Sequence, residues 1–179
     1  FADYVAVPQH NLHLVPDTVP TDVAVFAEPV AAAYQIPLQL SLTRTDRVTV
    51  LGDGRLGNLC AQVLAAACDT VLVVGKHPEK LALLDALGIG TALLADLPDE
   101  RATDHVANIG TDLGADIVVD CTGSDTGLPT ALGLVRPRGT IVLKTTVAGS
   151  QHLPWASVVI DEVTIVGSRC GPFDRALAA

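Results

Sequence analysis

From residue 47 onward the chain alternates short β-branched apolar runs with stretches of helical periodicity, and that alternation leaves few folds open. The runs lie at 47–51, 71–74, 91–94, 116–120, 140–143 and 163–166; helical patterns cover 59–68, 78–87, 99–109 and 125–134. When a helix separates two strands it carries the chain back to the starting edge, so the strands pair parallel, through right-handed crossovers. The runs are continuously apolar instead of alternating, as in a sheet covered on both faces. The expected fold is α/β: a doubly wound, parallel, six-stranded Rossmann sheet of order 3-2-1-4-5-6. Pro78 suits the first turn of its helix, Gly88 stops the same helix, and Pro137-Arg138-Gly139 reads as a turn into the fifth strand.

The first run feeds directly into Gly52-Asp53-Gly54-Arg55-Leu56-Gly57, with a helical pattern close behind. In this context the first glycine permits the strand-to-helix turn and the second lets a pyrophosphate approach the backbone. The third lets helix and strand pack closely, and the helix N-terminus offers unpaired N–H groups. Asp53 is expected to turn outward, away from an anion. Arg55 either pairs with a phosphate or points to water.

A site for NAD usually places Asp or Glu at the end of the second strand, roughly 20 residues on, to accept from the ribose hydroxyls. Here Val74 is followed by Gly75-Lys76-His77. Lys76 can offer a 2′-phosphate a charge-assisted bond worth about 1.5–3 kcal/mol, with Lys80 one helical turn further on. The preferred cofactor is therefore NADP(H), with NAD as the alternative; the competing reading makes both lysines solvated charges.

A formal charge of −9, a pI near 4.7 and eleven scattered basic residues argue against a nucleic-acid partner. No charge-free apolar run reaches the about 18–20 residues that span a bilayer, so no membrane partner is expected either. The four cysteines and five histidines have no metal-ligand or redox spacing. Reduced thiols in a cytoplasmic protein are expected. Cys170 lacks a neighbouring His, and no catalytic residue is assigned. The 179 residues suffice for one domain with an appendage, and the lack of any Met suggests a piece of something longer. Residues 1–40 stand outside the alternation: a short strand at 4–7, a loop at 8–20, and an Ala/Val-rich helix over 22–35 broken near Glu28-Pro29. The division expected is 1–40, the edge of a neighbouring domain and its connecting helix, and 41–179, the dinucleotide-binding domain.

Phe1-Ala2-Asp3-Tyr4-Val5-Ala6-Val7-Pro8, Asn11-Leu12, Val15-Pro16-Asp17 and Ala27-Glu28-Pro29, followed by the glycine turn, resemble the middle of a medium-chain zinc-dependent alcohol dehydrogenase. Asp120-Cys121-Thr122-Gly123 and Gly167-Ser168-Arg169 extend the likeness, with sorbitol and threonine dehydrogenases close in style. The resemblance implies hydride transfer between NAD(P)(H) and a small-molecule alcohol or carbonyl compound, with zinc held in the full-length parent. It implies that Cys121, Thr122 and Gly123 border the adenosine ribose, that Thr145 and Thr146 border the nicotinamide, and that Ser168 and Arg169 occupy the corresponding edge after strand six. Glu28 would ligate or approach the zinc; otherwise it caps the helix or pairs with a surface cation. The family's cysteine zinc ligand, Gly-His-Glu motif and four-cysteine lobe are not in this chain, so alone it is expected to bind cofactor and turn over little or nothing. Trp155, in the link before strand six, reads either as an anchor of a homo-oligomer or as a core residue. The alternative to the enzyme is a nucleotide-sensing regulatory module, with a methyltransferase a weaker third reading.

Overall fold

The computed structural model describes residues 2–97, 114–147 and 155–179. In chain order its elements are α1 (Thr21–Ala24), α2 (Ala27–Gln39), β1 (Arg47–Leu51), α3 (Arg55–Ala65), β2 (Thr70–Gly75), α4 (Pro78–Asp85) and β3 (Gly90–Leu93). They continue with β4 (Ala115–Asp120), α5 (Gly127–Leu134), β5 (Val135–Leu143), α6 (Trp155–Ile160), β6 (Thr164–Gly167) and α7 (Phe173–Ala178). The six strands form one sheet of order β3-β2-β1-β4-β5-β6, and every pairing is parallel. The helix expected over 99–109 lies outside the described residues.

Continuity of the apolar runs follows from two cores. Side chains alternate across a strand, so Val48 and Val50 face one layer with Val71, Val73, Ile117 and Val119, where α2, α3 and α4 bring Ile36, Leu64 and Leu84. Leu51, Leu72, Val74, Val118 and Ile141 face the other, covered by Leu128, Ala131 and Leu134, chiefly from α5. Each fully buried Val, Leu or Ile contributes about 1.5–3 kcal/mol relative to exposure. Edge strands β3 and β6 bury much less.

Residues 4–7 and 137–139 depart from the sequence reading, whereas the helix break expected near Glu28-Pro29 is met. Residues 4–7 form no strand: a strand exists only in a ladder, none of the described strands pairs with them, and Tyr4 and Val5 remain 93% and 82% exposed. The helix over 22–35 is two helices, the second starting afresh at Ala27. Pro29 is thereby its third residue, where a backbone N–H would have no intrahelical acceptor. Pro37 is carried near the end of α2, which stops two residues later. The other departure concerns Pro137-Arg138-Gly139, which lies within β5 as an irregularity: the register moves from Ala115 opposite Val135 to Ile117 opposite Thr140. Arg138 takes φ 61°, and its N–H donates to Asp161 O at 2.6 Å.

At the amino edge of the sheet Asp116 joins three strands. Its Oδ2 accepts from Arg47 N at 2.8 Å and Arg47 Nε at 3.2 Å, and its Oδ1 from Arg136 Nε at 2.6 Å. Burial pushes this carboxyl up, but the hydrogen bonds from Arg136 and Arg47 outweigh it and hold it below its ordinary value. A depressed folded-state pKa stabilises the fold above the unfolded value of about 3.9 and loses that contribution as pH falls through the lower folded value. Asp116→Asn should therefore cost on the order of 1–3 kcal/mol in urea unfolding at neutral pH. The difference from the unsubstituted chain should shrink below about pH 4; a pH-independent difference would show that packing, not charge, carries it.

Candidate functional site

The carboxyl ends of β1, β2, β4, β5 and β6 share one edge, and the glycine turn between β1 and α3 sits near its middle. Gly52 takes φ 105°, donates its N–H to Val74 O at 2.8 Å, and lies so close to β4 that a Cβ would stand 2.9 Å from the Cys121 carbonyl. A Cβ on Gly57 would fall inside the Gly52 carbonyl oxygen, so α3 rests directly on the turn. Gly54 is different. It is the N-cap of α3, and a Cβ there would meet nothing within 4 Å. Gly52 and Gly57 serve the packing, while Gly54 leaves a concave opening before the first N–H groups of an eleven-residue helix.

On one side of the turn lies a cavity of about 240 Å³ lined by Gly52, Gly54, Gly75, Lys76, Lys80, Cys121 and Thr122, together with Asp53, His77, Ser124 and Thr126. Here the sequence reading of Asp53 is corrected: the side chain turns inward and is 7% exposed. Its Oδ2 accepts from Lys76 N at 2.7 Å and His77 N at 2.6 Å, and His77 Nδ1 lies 3.0 Å from both oxygens. Burial pushes the Asp53 carboxyl up, yet the bonds from His77 and Lys76 prevail and keep it below the ordinary carboxylate value. An ionised carboxylate only accepts, so Nδ1 is the protonated ring nitrogen. The strand-end loop supplies donors that more than offset the cost of burying the charge.

On the other side a wider cavity, about 1000 Å³, is lined by Glu28, Arg55, Leu56, Thr145, Thr146, Ser168 and Arg169, with Pro29, Phe26 and Lys144. Between the two cavities Asp120, fully buried, organises the ends of β4 and β5. Its Oδ1 accepts from Thr122 N at 2.9 Å, Thr122 Oγ1 at 2.7 Å and Thr145 Oγ1 at 2.8 Å. Thr145 Oγ1 in turn accepts from Gly123 N at 3.0 Å, with Gly123 at φ 65°. Gly127 opens α5 without a Cβ because one would stand 2.5 Å from Asp120 Oδ2.

Lys144 is 9% exposed. Its Nζ donates to Ala32 O of α2 and, at 3.1 Å, to Arg169 O beyond β6. Burial draws this ammonium below its ordinary pKa. The same junction is tightened where a Cβ on Gly171 would enter the Ala31 carbonyl, and by Gln39 Nε2 donating to Gly167 O at 3.2 Å. Helix α2, which carries Glu28, is thus tied to the edge of the sheet. Ser168 Oγ is buried with no partner among the described residues. Cys60 and Cys121 lie together beneath the turn, and a hydrogen bond from Cys60 plus burial raises the Cys121 thiol well above its ordinary value. Cys170 is exposed. His13 stacks on Phe173 at 4.5 Å, away from both cavities.

The structure therefore brings the residues singled out in the sequence to two adjoining cavities, apart from Gly57, buried beneath the turn, and Gly123, held by Thr145. Sequence reasoning missed Asp53, His77, Asp120 and Lys144 as organisers. Two of them had a signal: Asp120 and Lys144 each follow an uninterrupted apolar run at a strand's carboxyl end, where a charge must find partners when the edge is covered. Among the described residues no group of three or more His, Cys, Asp and Glu could hold a metal ion, so Glu28 by itself does not make a metal site.

A family model described as zinc-binding dehydrogenase matches residues 56–178. The sorbitol dehydrogenase of Halalkalibacterium halodurans is 28% identical over 170 residues, covering 94% of this chain and 50% of that protein. A zinc-binding dehydrogenase from Sinorhizobium meliloti 1021, solved bound to NADP, superposes with a TM-score of 0.79 at 22% identity, over 92% of this chain and 49% of its own. A short chain alcohol dehydrogenase from Escherichia coli CFT073, complexed with NADH, gives 0.83 at 23% identity, over 96% and 51%. At those identities the two structures speak for the fold. The chain spans about half the length of the curated relatives it matches.

The two kinds of glycine can be told apart by thermal denaturation. Gly57→Ala forces backbone against backbone and should destabilise by at least the about 1–3 kcal/mol typical of overpacking. Gly54→Ala should stay within about 1 kcal/mol of the unsubstituted chain. Equal losses would mean that Gly54 also packs against protein.

Proposed function

This chain belongs to the zinc-binding dehydrogenase family, and from that premise we propose that it is the nicotinamide-cofactor-binding part of an oxidoreductase acting on a small alcohol or carbonyl compound. The observation that carries this reading is the opening at Gly54, before the N-terminus of α3, with a cavity on either side. A dinucleotide needs that arrangement: a central anion site and two flanking slots. The adenosine half is assigned to the cavity of Lys76, Lys80, Cys121 and Thr122, and the nicotinamide to that of Thr145, Thr146, Ser168 and Arg169, where the Ser168 hydroxyl, without a partner among the described residues, is available to a polar group. Bound nicotinamide supplies or accepts the hydride. The chain's own residues bind and orient: Asp120 holds Thr122 and Thr145, and Lys144 holds α2 against the strand ends.

Lys76 and Lys80, with no carboxylate offered to the ribose from the end of β2, favour NADP(H) over NAD(H). Residues 1–40 are assigned to the edge of the neighbouring catalytic domain in a longer protein, and 41–179 to the cofactor domain; exposed Tyr4, Val5, Leu12 and Leu14 support an apolar partner for the former. Zinc belongs to that longer protein, with Glu28 beside it. The described residues do not by themselves form a zinc site. Strand β6 ends the sheet beside exposed Trp155, Val159 and Ile160, which suits a homo-oligomer contact. No described helix is long and apolar enough to cross a membrane.

Calorimetric titration at equal ionic strength tests the reading. NADPH should bind more tightly than NADH, and Lys76→Ala should reduce that preference by roughly tenfold or more, the equivalent of a lost charge-assisted bond. Binding of neither cofactor to the folded chain would overturn the assignment; an unchanged NADPH/NADH ratio in Lys76→Ala would remove the phosphate role of that residue. Metal analysis of the purified chain should find zinc well below one per chain, and a stoichiometric zinc would place the metal site here after all.

A further inference from the structure

A carboxylate inside a glycine turn that receives a pyrophosphate ought, by charge alone, to weaken anion binding. The surroundings of Asp53 say otherwise. Its oxygens face inward to Lys76 N, His77 N and the His77 ring, leaving the side chain 7% exposed. Room for it comes from Gly75: a Cβ at that position would stand 2.5 Å from Asp53 Oδ2 and 2.6 Å from its Cβ. His77 is the N-cap of α4 and makes no side-chain cap bond, while its carbonyl accepts from Lys80 N at 3.0 Å and Leu81 N at 3.1 Å. The Asp53 carboxylate therefore holds, from across the cavity wall, the turn that presents Lys76 and the helix start that presents Lys80.

We propose that Asp53 is a positioning residue that favours the phosphate-bearing dinucleotide, by holding the Lys76-His77 turn in the shape that directs two cations into the adenosine cavity. The inference rests on the cofactor reading above. The net effect is opposite in sign to what the charge of Asp53 alone would give, because its negative end is consumed by three donors of the loop, while the Lys76 and Lys80 ammonium groups have no partner among the described residues. Gly75 belongs to the same device, as the residue whose missing side chain admits the carboxylate.

The test measures NADPH and NADH affinities by calorimetry for the unsubstituted chain, Lys76→Ala, Asp53→Asn and Gly75→Ala, with folding checked by circular dichroism. Asp53→Asn removes a negative charge, and Gly75→Ala displaces the carboxylate without changing any charge. Both should weaken NADPH at least fivefold and NADH less than twofold. Tighter or unchanged NADPH binding in Asp53→Asn would overturn the proposal, as would an equal loss for both cofactors. Should either core variant fail to fold, His77→Ala, which removes only a half-exposed ring, must lower NADPH affinity at least threefold and NADH less, or the clamp has no bearing on the phosphate. Failure of the underlying reading looks different: the unsubstituted chain binds neither cofactor, or Lys76→Ala leaves the ratio untouched.

Discussion

The contact of α3 with the turn beneath it is the constraint on which the rest of the site depends. Because Gly57 has no side chain, the helix settles onto the Gly52 carbonyl, and Gly52 in turn presses against the Cys121 backbone at the end of β4. One missing methyl group thereby sets the distance between a helix N-terminus and two strand ends. Backbone cannot yield as a flexible side chain can, so this geometry is stiff.

Around that point the carboxyl edge is organised by buried charges, each satisfied by backbone donors or acceptors. Asp53 holds the loop after β2, Asp120 the ends of β4 and β5, and Lys144 the helix that carries Glu28. Isolated charges at such depth would be costly, yet each here meets several partners, and each has at least one that lies more than twenty residues away. Lys144, for instance, reaches a carbonyl 112 residues away. These bonds fix the walls of the two adjoining cavities, the first lined by Lys76 and Lys80 and the second by Arg55, Thr145, Thr146 and Arg169. At the opposite edge Asp116 does comparable work for β1, β4 and β5.

Parts of this were legible from local pattern. Six apolar runs and the helices between them specify parallel pairing, and the glycine spacing after the first run specifies where the chain turns. The fresh helix start near Glu28 was legible too, since proline restricts the backbone through its own ring. Other features were not. The segment 4–7 has strand composition but no partner here, and composition cannot supply one. Arg138 within β5 takes a left-handed conformation because its N–H reaches Asp161, a long-range bond that outweighs the local preference for a turn. Asp53 read as an outward-facing charge because its donors lie 23 and 24 residues further on.

What the sequence by itself determined is therefore the periodic and the steric: strand order, crossover sense, the glycine turn and the absence of a carboxylate after Val74. Each of these is decided within a window of a few residues or by the handedness of the chain. The tertiary structure alone decided the direction of the charged side chains, namely that Asp53 turns in, that Asp120 serves both Thr122 and Thr145, and that Lys144 bridges α2 and the loop beyond β6. The physical reason is that a buried charge takes its orientation from whichever donors and acceptors the fold brings within about 3 Å, and for each of these at least one comes from a distant part of the chain.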